Sequence, residues 1–137
     1  MVARPTARPT QISVCGYLVD AYCLGVKDSM GPLSGPRAAL PNFLKRFFGA
    51  FEGEPEPISP SMARQVVFGS VSFAARLGFK PHPDFARTRS HLGAPPDAIS
   101  VGFGVEGRPF YIQGPFDDPR AVLSVLTRSR GESGQTP

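Results

Sequence analysis

Apolar residues fill both faces of the stretch from Ile12 to Val26. The even positions Ile12, Val14, Leu18, Tyr22, Leu24 and Val26 share one face, interrupted by Gly16 and Asp20, and the odd positions Cys15, Tyr17, Val19 and Cys23 line the other. A strand apolar on both faces is a covered one. This run exceeds the usual strand length, so the pattern predicts a bend or tight turn near Val19–Ala21, with Asp20 either holding that turn or serving as a buried acceptor. An ionised carboxylate among such neighbours is costly unless paired or hydrogen-bonded, which leaves a catalytic or metal-binding Asp20 as the alternative.

Beyond this stretch the period changes. Gly31-Pro32-Leu33-Ser34-Gly35-Pro36 reads as a loop, because two prolines remove donors. Phe43, Leu44, Phe47, Phe48 and Phe51 recur at helical spacing from Pro41 onward, with Lys45 and Arg46 opposite. Glu52 to Pro57 is an acidic linker broken by prolines. The clearest helix runs from Pro60 to Leu77, with Ser59 as N-cap and Gly78 as terminator; its Gly69 predicts the close approach of another backbone. Pro83 and Asp84 then open a short helix that buries Phe85 and Leu92. Ile99, Val101, Phe103 and Val105 alternate with small residues as a half-buried strand does, Glu106-Gly107 makes a two-residue turn, and Phe110-Tyr111-Ile112 returns. Asp117-Asp118-Pro119 starts a last helix with Val122, Leu123, Val125 and Leu126 on its apolar face.

The element order predicts an α+β fold, a small antiparallel sheet made of the N-terminal strand stretch and the C-terminal hairpin, covered by helices. Residues 1–10, with the tandem Ala-Arg-Pro-Thr, read as a disordered basic arm, 11–128 as a single α+β domain and 129–137 as a disordered tail.

The chain has 137 residues, 41% of them hydrophobic, with 15 Gly and 16 Pro, which fits one domain with short elements and many turns. No run is long enough to cross a bilayer and the N-terminus lacks the apolar core of a secretory signal, so a cytoplasmic location and no membrane partner are expected. Cys15 and Cys23 read as buried free thiols; their spacing matches no zinc pattern. No phosphate-cradling loop, nucleophile elbow or metalloprotease motif is present, and no cofactor is implied.

The net charge of +4 is unevenly spread. Glu52, Glu54 and Glu56 stand against a following block in which Arg64, Arg76, Lys80, Arg87 and Arg89 face only Asp84. His82, flanked by Pro81 and Pro83 and placed near a helix N-terminus, is held rigid and neutral, which suits a general base, a base-stacking ring or a cap.

Three stretches, Gly16 to Asp28, Leu77 to Phe85 and Gly107 to Asp118, together resemble a family of short, uncharacterised bacterial proteins that share this order of motifs. The likeness covers most of residues 14–127. It implies a common fold and carries over no catalytic residue, and the Gly131-Glu132-Ser133-Gly134 tail departs from the family's aromatic ending.

Three functions follow as expectations. The first is a binding module that meets nucleic acid or a nucleoprotein through Arg64, Arg76, Lys80, Arg87 and Arg89, with His82 and Phe79 for stacking. The second is a metal-dependent phosphodiester hydrolase in which Asp20, Asp28, His82 and Asp84 converge on a divalent ion. The third is a docking protein that offers a protein partner its Phe43–Phe51 face.

Overall fold

The computed structural model describes residues 1–109 and 118–132. Its sheet has three antiparallel strands, β1 (Val2–Pro5), β2 (Gln11–Asp20) and β3 (Gly25–Pro36), in the order β1-β2-β3. Four helices follow: α1 (Leu40–Phe48), α2 (Pro60–Leu77), α3 (Phe85–Leu92) and α4 (Pro119–Glu132). The fold is α+β.

The bend expected within the long apolar run is a turn at residues 21–24 that separates β2 from β3. Asp20 holds it: its two carboxylate oxygens accept the N–H groups of Tyr22 at 2.9 Å and Leu24 at 3.1 Å. Gly25 re-enters the sheet at φ 71, where a β-carbon would lie 2.9 Å from both the Ala74 Cβ and the Ser70 carbonyl of α2. Only glycine meets both demands.

Two segments depart from the expected picture for one reason, strand pairing that local composition does not encode. Residues 2–5, expected within a disordered arm, form β1, with Val2 opposite Cys15 and Pro5 opposite Ile12. Residues 31–36, expected as a loop, complete β3, which pairs with β2 as far as Gln11 opposite Pro36. Pro32 and Pro36 are tolerated because β3 lies at the edge of the sheet.

The core lies where α2 and α3 cover the sheet. Val26, Val67, Phe68, Phe85 and Leu92 are its buried cluster, with Tyr17 and Val19 of β2 packed against it. The Phe85 ring meets Tyr17 and Phe68 edge-on at 6.1 and 6.0 Å, a favoured aromatic geometry. Beside it, Thr88 and Ser29 are buried polar side chains bonded to each other through their hydroxyls, and Ser29 also donates to the Gly16 carbonyl. At the far end of α3, His91 Nε2 lies 3.0 Å from the Ser13 carbonyl, and burial pushes its imidazole pKa down.

Helix α2 has the expected bounds: the Ser59 hydroxyl accepts the Met62 N–H, and Gly78 closes the helix in the left-handed region. Gly69 admits the Phe103 ring rather than another backbone, and Phe103 stacks on Phe73 at 6.1 Å. That docking explains the alternation around Phe103 without a strand. Residues 99–104 carry no strand pairing, and Val105 makes an isolated bridge to Arg108 across the expected Glu106-Gly107 turn, whose φ values are 54 and 77. The return run Phe110-Tyr111-Ile112 lies outside the described residues. So does Asp117; Asp118 caps α4 as expected, accepting from the Arg120 and Ala121 N–H groups. Helix α4 continues to Glu132, beyond the expected end at residue 128. Of its apolar set, Val122 is buried and Leu123 is exposed.

Asp20→Asn is expected to lower stability by about 1.5–3 kcal/mol, because the new amide turns a donor toward a backbone N–H that now meets a charged acceptor. A urea titration checks it. A variant with an unchanged midpoint that loses ligand binding would return Asp20 to a functional role.

Candidate functional site

The residues expected to carry chemistry separate into three places. Asp20 is spent on its turn. Asp28, His82 and Asp84 do come together, offering one ligand atom each within 4.8 Å of one another. The His82 N–H donates to the Val26 carbonyl at 2.9 Å, which pins the proline-flanked loop to β3 beside Asp28. His82 Nδ1 accepts the Asp84 N–H at 3.1 Å, so the neutral ring carries its proton on Nε2, 3.9 Å from Asp28 Oδ1. Arg87 holds Asp84 at 2.9 Å.

The chemistry of this donor set runs against a divalent ion. The Nδ1 lone pair is committed to a backbone N–H, so an ion at Nδ1 would displace that bond, and an ion on Nε2 of a neutral ring would move the ring proton to Nδ1 and lose the bond as well. It would also compete with a guanidinium for Asp84. The cluster behaves instead as a cap: it satisfies an N–H at the start of α3 and orients the loop. Of the three roles open to His82 from the sequence, general base, base-stacking ring or cap, the hydrogen bond it accepts is that of a cap.

The basic block divides as well. Arg89 lies over both Phe68 and Phe85 at 5.9 Å, Arg76 lies over Phe73 at 5.8 Å, and Arg87 pairs with Asp84. Arg64 sits beside Gly93 at the C-terminal end of α3, where Arg4 also donates to the His91 carbonyl at 3.0 Å. Cations there complement the helix dipole. Arg64 and Arg76 are about 18 Å apart along α2 at 1.5 Å per residue. Lys80 is exposed, and Phe79 is half-buried.

The third place is α1. Its apolar stripe is half-buried, with no residue fully inside. Two glycines of the sheet receive it: a β-carbon at Gly16 would overlap the Phe47 ring, and one at Gly35 would come within 3.0 Å of Phe43. The helix therefore rests on flat patches of β2 and β3, leaving hollows on either side of Phe48. The larger, about 580 Å³, lies between α1, β2 and the first half of α2, with Tyr17, Val19 and Val67 below and Leu44 and Ile58 at the sides. The smaller, about 240 Å³, is bounded by Leu18, Met30, Arg46 and Phe51. Both touch Met1, Tyr17 and Phe48, which stand between them as a shared wall, so that the two hollows adjoin along α1 as a divided groove. The Tyr17 hydroxyl donates to the Thr88 carbonyl at 2.6 Å and its pKa is raised, chiefly by burial, so the groove meets the neutral ring.

Nine large apolar side chains are exposed among the described residues, and four of them, Leu18, Met30, Phe51 and Ile58, line this groove, which makes the exposure a patch rather than scatter. The Phe43–Phe51 stripe signals the groove in the sequence. Gly16, which lines the smaller hollow and seats Phe47, reads there only as an interruption of the apolar face, and Gly35, which seats Phe43, as part of a loop.

No protein-family model, curated protein or solved structure matches the chain. Among the described residues, no helix is long and apolar enough to cross a membrane.

Proposed function

We propose that this chain is a protein-binding module whose α1 groove receives the apolar face of a partner. The observation that carries this is the pair of hollows that adjoin at Phe48 and are lined by side chains left exposed. The larger hollow falls within the ~300–1,000 Å³ typical of ligand sites, and its lining is mainly apolar, as such sites are. Fully burying a Leu, Met, Phe or Ile contributes about 1.5–3 kcal/mol each. Leu18, Met30, Phe51 and Ile58 are already about half covered, so together they offer several kcal/mol on docking. Three of the five cations expected to meet phosphate already have intramolecular partners, which favours docking over nucleic-acid binding.

The test uses anilinonaphthalene sulfonate, an apolar fluorescent probe, at about 1 µM protein, with native chain and with Phe51→Asp and Ile58→Asp. Probe affinity is expected to fall at least about tenfold in each variant, a loss of ~1.4 kcal/mol, with the melting temperature unchanged. Probe binding indifferent to both substitutions would overturn the proposal. Titration with labelled RNA and DNA runs in parallel. A logarithmic salt slope that Arg87→Glu with Arg89→Glu reduces by roughly 1.5–2 would replace docking with phosphate binding.

A further inference from the structure

We infer that His91 is an acid-sensitive latch: its neutral ring holds strand β1 against α3, and protonation of the ring releases β1, one wall of the larger hollow. The effect on the hollow rests on the docking proposal; the latch itself does not. The ring stands where three elements meet. Its Nε2 lies 3.0 Å from the Ser13 carbonyl of β2, Arg4 of β1 is the residue opposite Ser13 in the sheet, and the Arg4 guanidinium donates to the His91 carbonyl at 3.0 Å. A carbonyl only accepts, so Nε2 carries the proton of the neutral ring and Nδ1 the bare lone pair. That Nδ1 is buried, and among the described residues it has no partner.

Protonation turns this arrangement against itself. The new N–H at Nδ1 finds no acceptor among the described residues, and the new charge stands beside Arg4. The other elements packed on α3 give the cation no partner. Strand β3 contributes Ser34, opposite Ser13, and α2 brings Arg64 beside Gly93. On α3 itself Arg87 is paired with Asp84 and Arg89 is stacked on rings, and the exposed Asp97 of the following loop forms no ion pair with any of them. The C-terminal end of α3 would ordinarily favour a cation, but Arg4 and Arg64 already stand there. Burial, and to a smaller extent Arg4, hold the ring pKa below the ordinary histidine value of about 6.5, against the pull of the Ser13 carbonyl. The corner is therefore fully stable above that value and loses stability as the pH falls through the lowered pKa. Of the elements joined there, β1 gives way. Helix α3 is anchored by buried Phe85, Thr88 and Leu92, whereas β1 has four residues, three of them exposed, and pairs on one side only. Its Val2 and Ala3 line the larger hollow.

The test is an NMR titration of the ¹⁵N-labelled full chain from about pH 7.5 to 5, where its two histidines are the side chains that ordinarily titrate. The amide signals of Val2, Ala3 and Arg4 are expected to move with the His91 ring at one midpoint below about 6.5, while those of Val67 and Phe68 on α2 stay in place. In His91→Gln, whose amide still donates to Ser13 and does not titrate, the transition is expected to vanish. Arg4→Gln removes the neighbouring cation and is expected to raise the ring midpoint; His82→Asn keeps an acceptor for the Asp84 N–H and is expected to leave it unchanged. At the native midpoint half of the chains have released β1, so probe affinity is expected to be about twofold weaker than in His91→Gln. Signals of β1 indifferent to pH, a transition that persists in His91→Gln, a ring midpoint that Arg4→Gln does not raise, or equal probe affinities would each overturn the inference. If His91→Gln does not fold, the direction of the Arg4→Gln shift decides. Release of β1 with probe binding that ignores Phe51 and Ile58 would end docking and leave the latch; probe binding that depends on them with β1 fixed at every pH would end the latch and leave docking.

Discussion

Val26→Asp is expected to leave the chain without a cooperative unfolding transition. Val26 is 1% exposed, lies on β3 beneath both α2 and α3, and belongs to the cluster that includes Val67, Phe85 and Leu92. Its polar surroundings are already used: the Val26 carbonyl accepts the His82 N–H, the buried Ser29 and Thr88 hydroxyls are bonded to each other, and the buried Ser70 hydroxyl donates to the Val67 carbonyl. An unpaired carboxylate there costs several kcal/mol. Total stabilities of small domains are about 5–15 kcal/mol. The loss is thus of the same size as the whole. Circular dichroism on heating checks it, and a sigmoidal melt within a few degrees of native would mean that Val26 does not face the core.

Gly25→Val is expected to lower stability by about 3 kcal/mol or more, the second largest effect. Two costs combine at one position. The left-handed backbone at φ 71 costs an ordinary L-residue about 1–2 kcal/mol, and a β-branched one more. The added β-carbon also meets Ala74 and the Ser70 carbonyl at 2.9 Å, and the latter is backbone of α2 that cannot swing aside. Relief requires β3 and α2 to separate, which uncovers Val26 and Val67. Urea unfolding of Gly25→Val beside Gly25→Asn separates the two costs, since Asn tolerates the left-handed region and retains only the steric one. A midpoint for Gly25→Val equal to native would show that this turn and helix are not in contact.

What the sequence discloses of this molecule divides by range. Helix α2 can be read to the residue because its determinants, Ser59, Pro60 and Gly78, act on their immediate neighbours. The turn at Asp20 and the Glu106-Gly107 turn can be read for the same reason. Strand β1 and the second half of β3 cannot, since Val2 gains a strand only by meeting Cys15, and Leu33 only by meeting Val14. Prolines there argue against a strand until the edge position is known. Alternation around Phe103 misleads in the opposite direction, because Gly69 on a distant helix sets it. At the candidate sites, residue types suggest a metal constellation, but the single hydrogen bond from the Asp84 N–H to His82 determines its character. Likewise, the aromatic stripe of α1 announces an apolar surface, while its seat on the sheet depends on Gly16 beneath Phe47 and Gly35 beneath Phe43.

The prolines at the margins of the sheet also bear on aggregation. Strand β1 is four residues long and ends in Pro5, and Arg4 ties it to α3; β3 carries Pro32 and Pro36. A foreign strand adding to either margin would find missing N–H donors and a short ladder, and such margins are poor templates for strand addition. Open-ended growth of the sheet from one molecule to the next is thereby disfavoured.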